Sequence, residues 1–130
     1  MLAFRYLVND VDDAVAFYTG QLGFELEQQM GPAFAIVVLD GARLWLSGPA
    51  SSAARPMPDG AKPEPGGWNR IAVEVDDIEA EVARLRDAGV GFRSEIVSGP
   101  GGKQAVLDDP AGNPVELFEP TRGEAKLSSD

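Results

Sequence analysis

Arg5, Trp45, Arg70, Glu116 and Phe118 are the residues of this chain whose types could handle a small molecule, and strand alternation gives them the same kind of face. They offer two guanidinium groups, one carboxylate and two aromatic rings, a set suited to a planar, partly polar ligand. Little in it suits catalysis. Glu116 could act as a general base only with a raised pKa, and a neighbouring Arg70 would lower it. The two therefore read as a salt bridge or as a pair that contacts a ligand. Trp45 reads as a core or dimer-contact tryptophan or as a plate for stacking. Trp68 reads more simply as a loop anchor than as a clamp. No residue is assigned a catalytic role.

What is missing sharpens this. The 130 residues include no cysteine and no histidine, which excludes disulfides, thiolate zinc sites, cysteine nucleophiles and the usual general base near neutral pH. A net charge of −10 argues against nucleic acid, whose phosphates would be repelled. That charge would suit a cationic ligand, although solubility explains it equally well. No apolar run has the roughly 18 residues of a membrane span, and the start Met1-Leu2-Ala3-Phe4-Arg5 is unlike a signal peptide. A cytoplasmic protein without membrane or nucleic-acid partners is expected.

The elements that must position these residues follow from periodicity. Phe4, Tyr6 and Val8 alternate with Ala3, Arg5 and Leu7, as a two-faced strand does. Val11, Val15, Tyr18 and Leu22 recur at helical spacing, with aspartates at the start and Gly20 or Gly23 available as the stop. Phe24 and Leu26 suggest a short half-exposed strand, Phe34 to Leu39 a more buried one, and Asp40-Gly41 a hairpin into Leu44–Ser47. Arg70 to Val75 predicts another strand, and Ile78, Val82 and Leu85 a second helix ending at Gly89. Strands over Phe92 to Val97, Lys103 to Leu107 and Pro114 to Phe118 complete the set. Gly99-Pro100-Gly101-Gly102-Lys103 looks superficially like a phosphate loop but lacks its spacing and following helix, so it reads as a turn.

Two stretches of strand and helix correspond. Ala3, Val8, Asp10 and Val15 map onto Arg70, Val75, Asp77 and Val82 at one constant separation, and Gly41, Leu44, Trp45, Leu46 and Pro49 map onto Gly112, Val115, Glu116, Leu117 and Pro120 at another. The chain is thus predicted to be α+β, with two tandem βαβββ modules forming a cupped mixed sheet. One domain is expected over residues 1–120, with module one at 3–49, a linker at 50–67, module two at 68–120 and a flexible tail at 121–130. The Pro- and Gly-rich stretch 48–67 is read as a connector, with a lid over a binding site as the alternative.

Val11-Asp12-Asp13-Ala14-Val15-Ala16-Phe17-Tyr18-Thr19-Gly20-Gln21-Leu22-Gly23-Phe24 and Asp108-Asp109-Pro110-Ala111-Gly112-Asn113-Pro114-Val115-Glu116-Leu117 resemble the opening and closing segments of the vicinal oxygen chelate superfamily. That superfamily holds glyoxalase I, extradiol dioxygenases, fosfomycin-modifying enzymes and bleomycin resistance proteins. The resemblance spans Ala3 to Pro120. It implies a concave face opposite the helices, where ligands bind. It also implies that the metal-ligand positions of the metal-dependent members fall on Ala3, Trp45, Arg70 and Glu116. Only Glu116 of these can bind a metal, against the about three protein ligands a catalytic ion usually needs. No metal and no cofactor is therefore expected.

The resemblance then implies a metal-free binding protein of the bleomycin-resistance type, a homodimer holding an aromatic or drug-like ligand through Arg5, Trp45, Arg70, Glu116 and Phe118. A metal-dependent lyase, isomerase or dioxygenase is the alternative reading, and a non-catalytic interaction module the third.

Overall fold

The computed structural model describes residues 1–121. The tail expected over 121–130 lies, after Thr121, outside the described residues. Thr121 itself is tied down, its amide donating to the Gly101 carbonyl at 2.9 Å. By its internal contacts the chain divides into residues 1–66 with 110–113, and residues 67–109 with the segment from Pro114 onward. Each unit contains one βαβββ module, and the protein is α+β as the periodicity predicts. Among the described residues no helix is long and apolar enough to cross a membrane.

The first unit runs β1 (Ala3–Leu7), α1 (Val11–Leu22), β2 (Glu25–Met30), β3 (Phe34–Leu39) and β4 (Ala42–Ser47). Its sheet has the order β1-β4-β3-β2, with β1 parallel to β4 and the other pairs antiparallel. Asp10 caps α1 by accepting from the Asp13 amide at 3.0 Å, the interaction that makes aspartate a good N-cap. Gly23 ends the helix at φ 77°, and its N–H donates to the Tyr18 carbonyl. The hairpin between β3 and β4 turns on Asp40 and Gly41, both at positive φ (50° and 78°), as a two-residue turn with the strands' twist requires. Alternation sends Ala35, Val37, Leu44 and Leu46 under α1, where each is at most 2% exposed.

The buried stripe of α1 is Val11, Ala14, Phe17 and Tyr18, rotated from the expected Val11, Val15, Tyr18 and Leu22. Aromatic packing accounts for the rotation: Phe17 and Phe24 both meet Tyr18 edge-on, with centroids 5.2 and 5.4 Å away. β2 is longer than expected and exposed at all six residues, because it is the edge strand and carries a bulge between Leu26 and Gln28.

The second unit repeats the plan with β5 (Ile71–Glu74), α2 (Ile78–Asp87), β6 (Val97–Gly99), β7 (Gly102–Asp108) and β8 (Pro114–Pro120). The sheet order is β5-β8-β7-β6, with β5 parallel to β8. Asp77 caps α2, and Ile78, Val82 and Leu85 are its buried residues, as predicted.

The strand expected over Phe92 to Val97 is different. Only Val97–Gly99 forms one, preceded by an isolated bridge from Phe92 to Leu107. Side chains take the place of the ladder there. The Ser94 hydroxyl accepts the Val106 amide at 3.1 Å, and Arg93 turns its guanidinium to Asp108.

Between β4 and β5 the Pro-rich segment forms a single 3-10 turn, Ser52–Ala54. Its start is held by the Gly48 amide on the Ala33 carbonyl at 2.9 Å. Gly66 donates to Oδ1 of Asn113 at 2.8 Å, while Nδ2 of Asn113 donates to the Leu7 carbonyl at 2.7 Å.

Candidate functional site

Register defines the face of the first sheet opposite α1. Arg5 lies across from Trp45 on β4, and Trp45 across from Ile36 on β3; one step along, Leu7, Ser47 and Phe34 are in line. The Arg5 guanidinium carbon is 4.9 Å from the centre of the Trp45 ring, a cation–π contact. Phe34 meets the same ring at 6.0 Å and 74°. The tryptophan is therefore held between a charge and a ring edge. Arg43, on the same face, is engaged in a two-pronged contact with Glu27, with Nε to Oε2 at 3.0 Å and Nη2 to Oε1 at 2.9 Å. That contact lowers the Glu27 pKa and raises that of Arg43.

Among the described residues, two polar atoms on this face have no partner. Trp45 Nε1 and Ser47 Oγ are buried and make no hydrogen bond. Ser47 escaped the sequence reading, although its place two residues beyond Trp45 on one strand was signal enough to put it on the same face.

In the second unit, Ala72 lies across from Glu116 and Glu74 across from Phe118, so these four share the face opposite α2. Arg70, just before β5, sets its Nε 2.9 Å from Oε1 of Glu116 and donates from Nη1 to the Trp68 carbonyl at 3.4 Å. The side chains of the pair are 28% and 14% exposed, so the bridge is largely out of water. Phe118 is half-buried beside Gln104 on β7. Trp68 is 68% exposed, and its ring carries the Arg93 guanidinium at 4.6 Å. Arg93 also donates from Nη1 to the Gly67 carbonyl at 2.6 Å and from Nε to Asp108 at 2.7 Å. Arg93 thus anchors the segment that leads into β5, a role that local periodicity could not reveal.

The metal-ligand positions implied by the resemblance do not fit a metal. Ala3 has no donor atom, and the indole Nε1 of Trp45 is a donor only. Arg70 brings a positive charge, and the carboxylate of Glu116 is already taken up by that charge. A second group of carboxylates, Asp77, Glu79 and Glu119, brings its oxygens within 4.8 Å of one another. Each has a structural task. Asp77 accepts the Ala80 amide, Glu119 accepts the Ile78 amide, and Glu79 pairs with Lys103 at 2.9 Å. The neighbouring hollow of about 720 Å³, lined by Glu74, Asp76, Ser98, Lys103, Glu119 and their neighbours, includes none of Arg70, Glu116 or Phe118. Of the charges that line it, Glu119 accepts the first amide of α2 and Lys103 ties that helix to β7 through Glu79.

Two βαβββ units, each with its first strand parallel to its last and one helix across the sheet, define the vicinal oxygen chelate fold. Residues 2–117 match the family described as the Glyoxalase/Bleomycin resistance protein/Dioxygenase superfamily, and the chain belongs to it. No curated protein sequence matches. Solved structures are similar over most of the length. A member of the same superfamily from Sphaerobacter thermophilus is 29% identical, covering 92% of this chain and 97% of that one with a TM-score of 0.69. TnmS3, an antibiotic binding protein from Streptomyces sp. CB03234, is 27% identical over 93% of this chain and 97% of its own, with a TM-score of 0.67. FosX, a genomically encoded fosfomycin resistance protein from Listeria monocytogenes, reaches a TM-score of 0.71 over 97% of each chain at 16% identity, a likeness of fold alone.

Proposed function

We propose that this chain is a cytoplasmic, homodimeric small-molecule binding protein that works without a metal and takes an aromatic or drug-like ligand. The observation that carries this reading is the Arg70–Glu116 bridge. It engages the one carboxylate among the implied metal-ligand positions and sets a fixed cation beside it, which opposes a divalent ion. The aromatic and guanidinium groups on the two faces suit a planar ligand: Arg5 and Trp45 in the first unit, and Arg70, Glu116 and Phe118 in the second. The similarity to an antibiotic binding protein supports the ligand class. The exposed edge strand β2 supports assembly, since an uncovered edge is a ready surface for pairing with another chain.

The test is a titration with a panel of planar drugs, followed by tryptophan fluorescence and melting temperature. A ligand present at about 100 times its Kd stabilises by about 2.7 kcal/mol, which a melting curve resolves. Nickel, zinc, manganese and iron(II) added separately should leave the melting temperature unchanged. A shift with a metal, or no response to any drug, counts against the proposal. Sedimentation equilibrium tests the dimer.

A further inference from the structure

Trp68 carries an inference about what the second unit holds, and it rests on the small-molecule reading above. Its backbone is fixed twice over. Arg93 donates to the Gly67 carbonyl at 2.6 Å, and Arg70 to the Trp68 carbonyl at 3.4 Å. Each arginine is in turn held by a carboxylate of the sheet, Arg93 by Asp108 at 2.7 Å and Arg70 by Glu116 at 2.9 Å. Register puts both carboxylates on one face: Glu116 lies across from Val106, and Asp108 stands two residues beyond Val106 on β7. The segment that leads into β5 thus hangs from two ion pairs on the face that Phe118 and Gln104 share.

That anchoring asks nothing of the indole. A tryptophan that fastens a loop does so by burying its ring, where an aromatic side chain stabilises most; the Trp68 ring instead stays 68% exposed. Nor is the ring left loose. The Arg93 guanidinium lies 4.6 Å from its centre, and the Arg93 side chain is itself only 18% exposed and fixed at Asp108. With one face under the guanidinium, the open area is chiefly the opposite face. A flat ring held in water by a fixed backbone and a fixed cation is prepared for stacking, since the ordering that binding would otherwise demand is already done. We infer that Trp68 is a stacking residue of the ligand site, positioned by Arg93, and that a flat, uncharged aromatic ring lies on its open face. A cation there would gain little, because the π-electrons of the indole already face the Arg93 guanidinium. A saturated ring of the same size would gain less, for want of a π-face.

The experiment compares naphthamide, its fully saturated analogue and naphthylmethylammonium by isothermal titration on the full chain. Naphthamide should bind about fivefold more tightly than the saturated analogue and no less tightly than the ammonium probe. In nitrogen–proton NMR spectra the Trp68 indole signal, assigned by its loss in Trp68→Leu, should move with naphthamide and stay in place with the saturated analogue. Trp68→Leu should weaken naphthamide about fivefold and leave the melting temperature unchanged, whereas Trp68→Phe, which keeps a flat ring, should retain most of the affinity. Arg93→Lys should weaken naphthamide in the wild-type background but not in Trp68→Leu, a coupling that a merely structural arginine would not show. Naphthamide binding indifferent to Trp68→Leu, tighter binding of the ammonium probe, or naphthamide failing to bind where a planar drug does, overturns the inference while leaving a small-molecule binder standing. So does a Trp68→Leu protein that melts lower or loses its dimer at unchanged naphthamide affinity, since the ring would then be an anchor or a subunit contact. If neither naphthamide nor any of the planar drugs binds, the functional reading itself fails and the inference with it.

Discussion

Nε of Arg70 lies 2.9 Å from Oε1 of Glu116, joining the residue before β5 to the middle of β8 across one face of the second sheet. With the glutamate side chain only 14% exposed, removing the arginine leaves a carboxylate that water reaches poorly. Arg70→Met should therefore cost about 1–3 kcal/mol, less than a fully buried pair because the arginine keeps some solvent contact. The double variant Arg70→Met, Glu116→Leu should recover most of the loss, as apolar replacements of buried ion pairs often do. Urea denaturation of the three proteins decides this. If the double variant were no more stable than the single one, a stranded Glu116 carboxylate would not be the cause of the loss.

Asn113 should be intolerant of change for another reason. Its side-chain amide serves two backbone groups at once, accepting from Gly66 and donating to Leu7, and it is 2% exposed. Asn113→Leu leaves both groups unpaired and should cost roughly 2–4 kcal/mol. Asn113→Asp keeps the acceptor for Gly66 but turns an oxygen toward the Leu7 carbonyl, so it too should destabilise. Hydrogen exchange at Gly66 is the local readout: it should quicken in the leucine variant and stay closer to the wild type in the aspartate one.

Gly102 opens β7 at φ 149°, and a Cβ there would run into the carbonyl of Glu119 on β8. Both the conformation and the space require glycine. Gly102→Ala should cost on the order of 2 kcal/mol or more and loosen the β7–β8 ladder at that end. The neighbouring Gly99, with φ outside the left-handed range and only a 4.0 Å approach to the Gly102 carbonyl, should accept alanine with little loss. Equal melting temperatures for the two variants would contradict this.

How much of this was readable from sequence follows from the range of the interactions involved. Asp10 and Asp77 cap their helices through amides three residues away, and the Asp40-Gly41 turn depends on two backbone angles; such local features are written in adjacent letters. Strand alternation was enough to place Arg5 with Trp45 and Glu116 with Phe118 on their faces. It could not foresee that Ser94 would take the Val106 amide and interrupt the strand expected over residues 92–97, because that partner lies 12 positions away. Nor could it tell that the Arg5 guanidinium would cover the ring of Trp45, or that the indole N–H would be left without an acceptor. Those depend on packing between strands, where one rotamer decides which atoms meet.

The Glu79–Lys103 contact, 2.9 Å between Nζ and Oε1, predicts a pH dependence with a definite sign. The hydrogen bond from Lys103 lowers the Glu79 pKa below its ordinary 4.5. A carboxylate whose folded pKa is depressed stabilises the fold above its unfolded value and loses that contribution as pH falls through the lowered folded value. Lys103 is raised above 10.5 by the same hydrogen bond; its contribution is complete below that value and is lost as pH rises through the raised one. Glu79→Gln should therefore be less stable than the wild type between roughly pH 5 and pH 10. The gap should close as the solution is taken well below pH 4.5, where the wild-type carboxylate is itself protonated, and again at strongly alkaline pH. Both groups are exposed, so the gap should be small and should shrink with added salt. Urea midpoints of the two proteins at acid, neutral and alkaline pH, at low and high salt, measure it. A gap that persisted unchanged in acid would mean that glutamine disturbs the start of α2 rather than removing a charge from it.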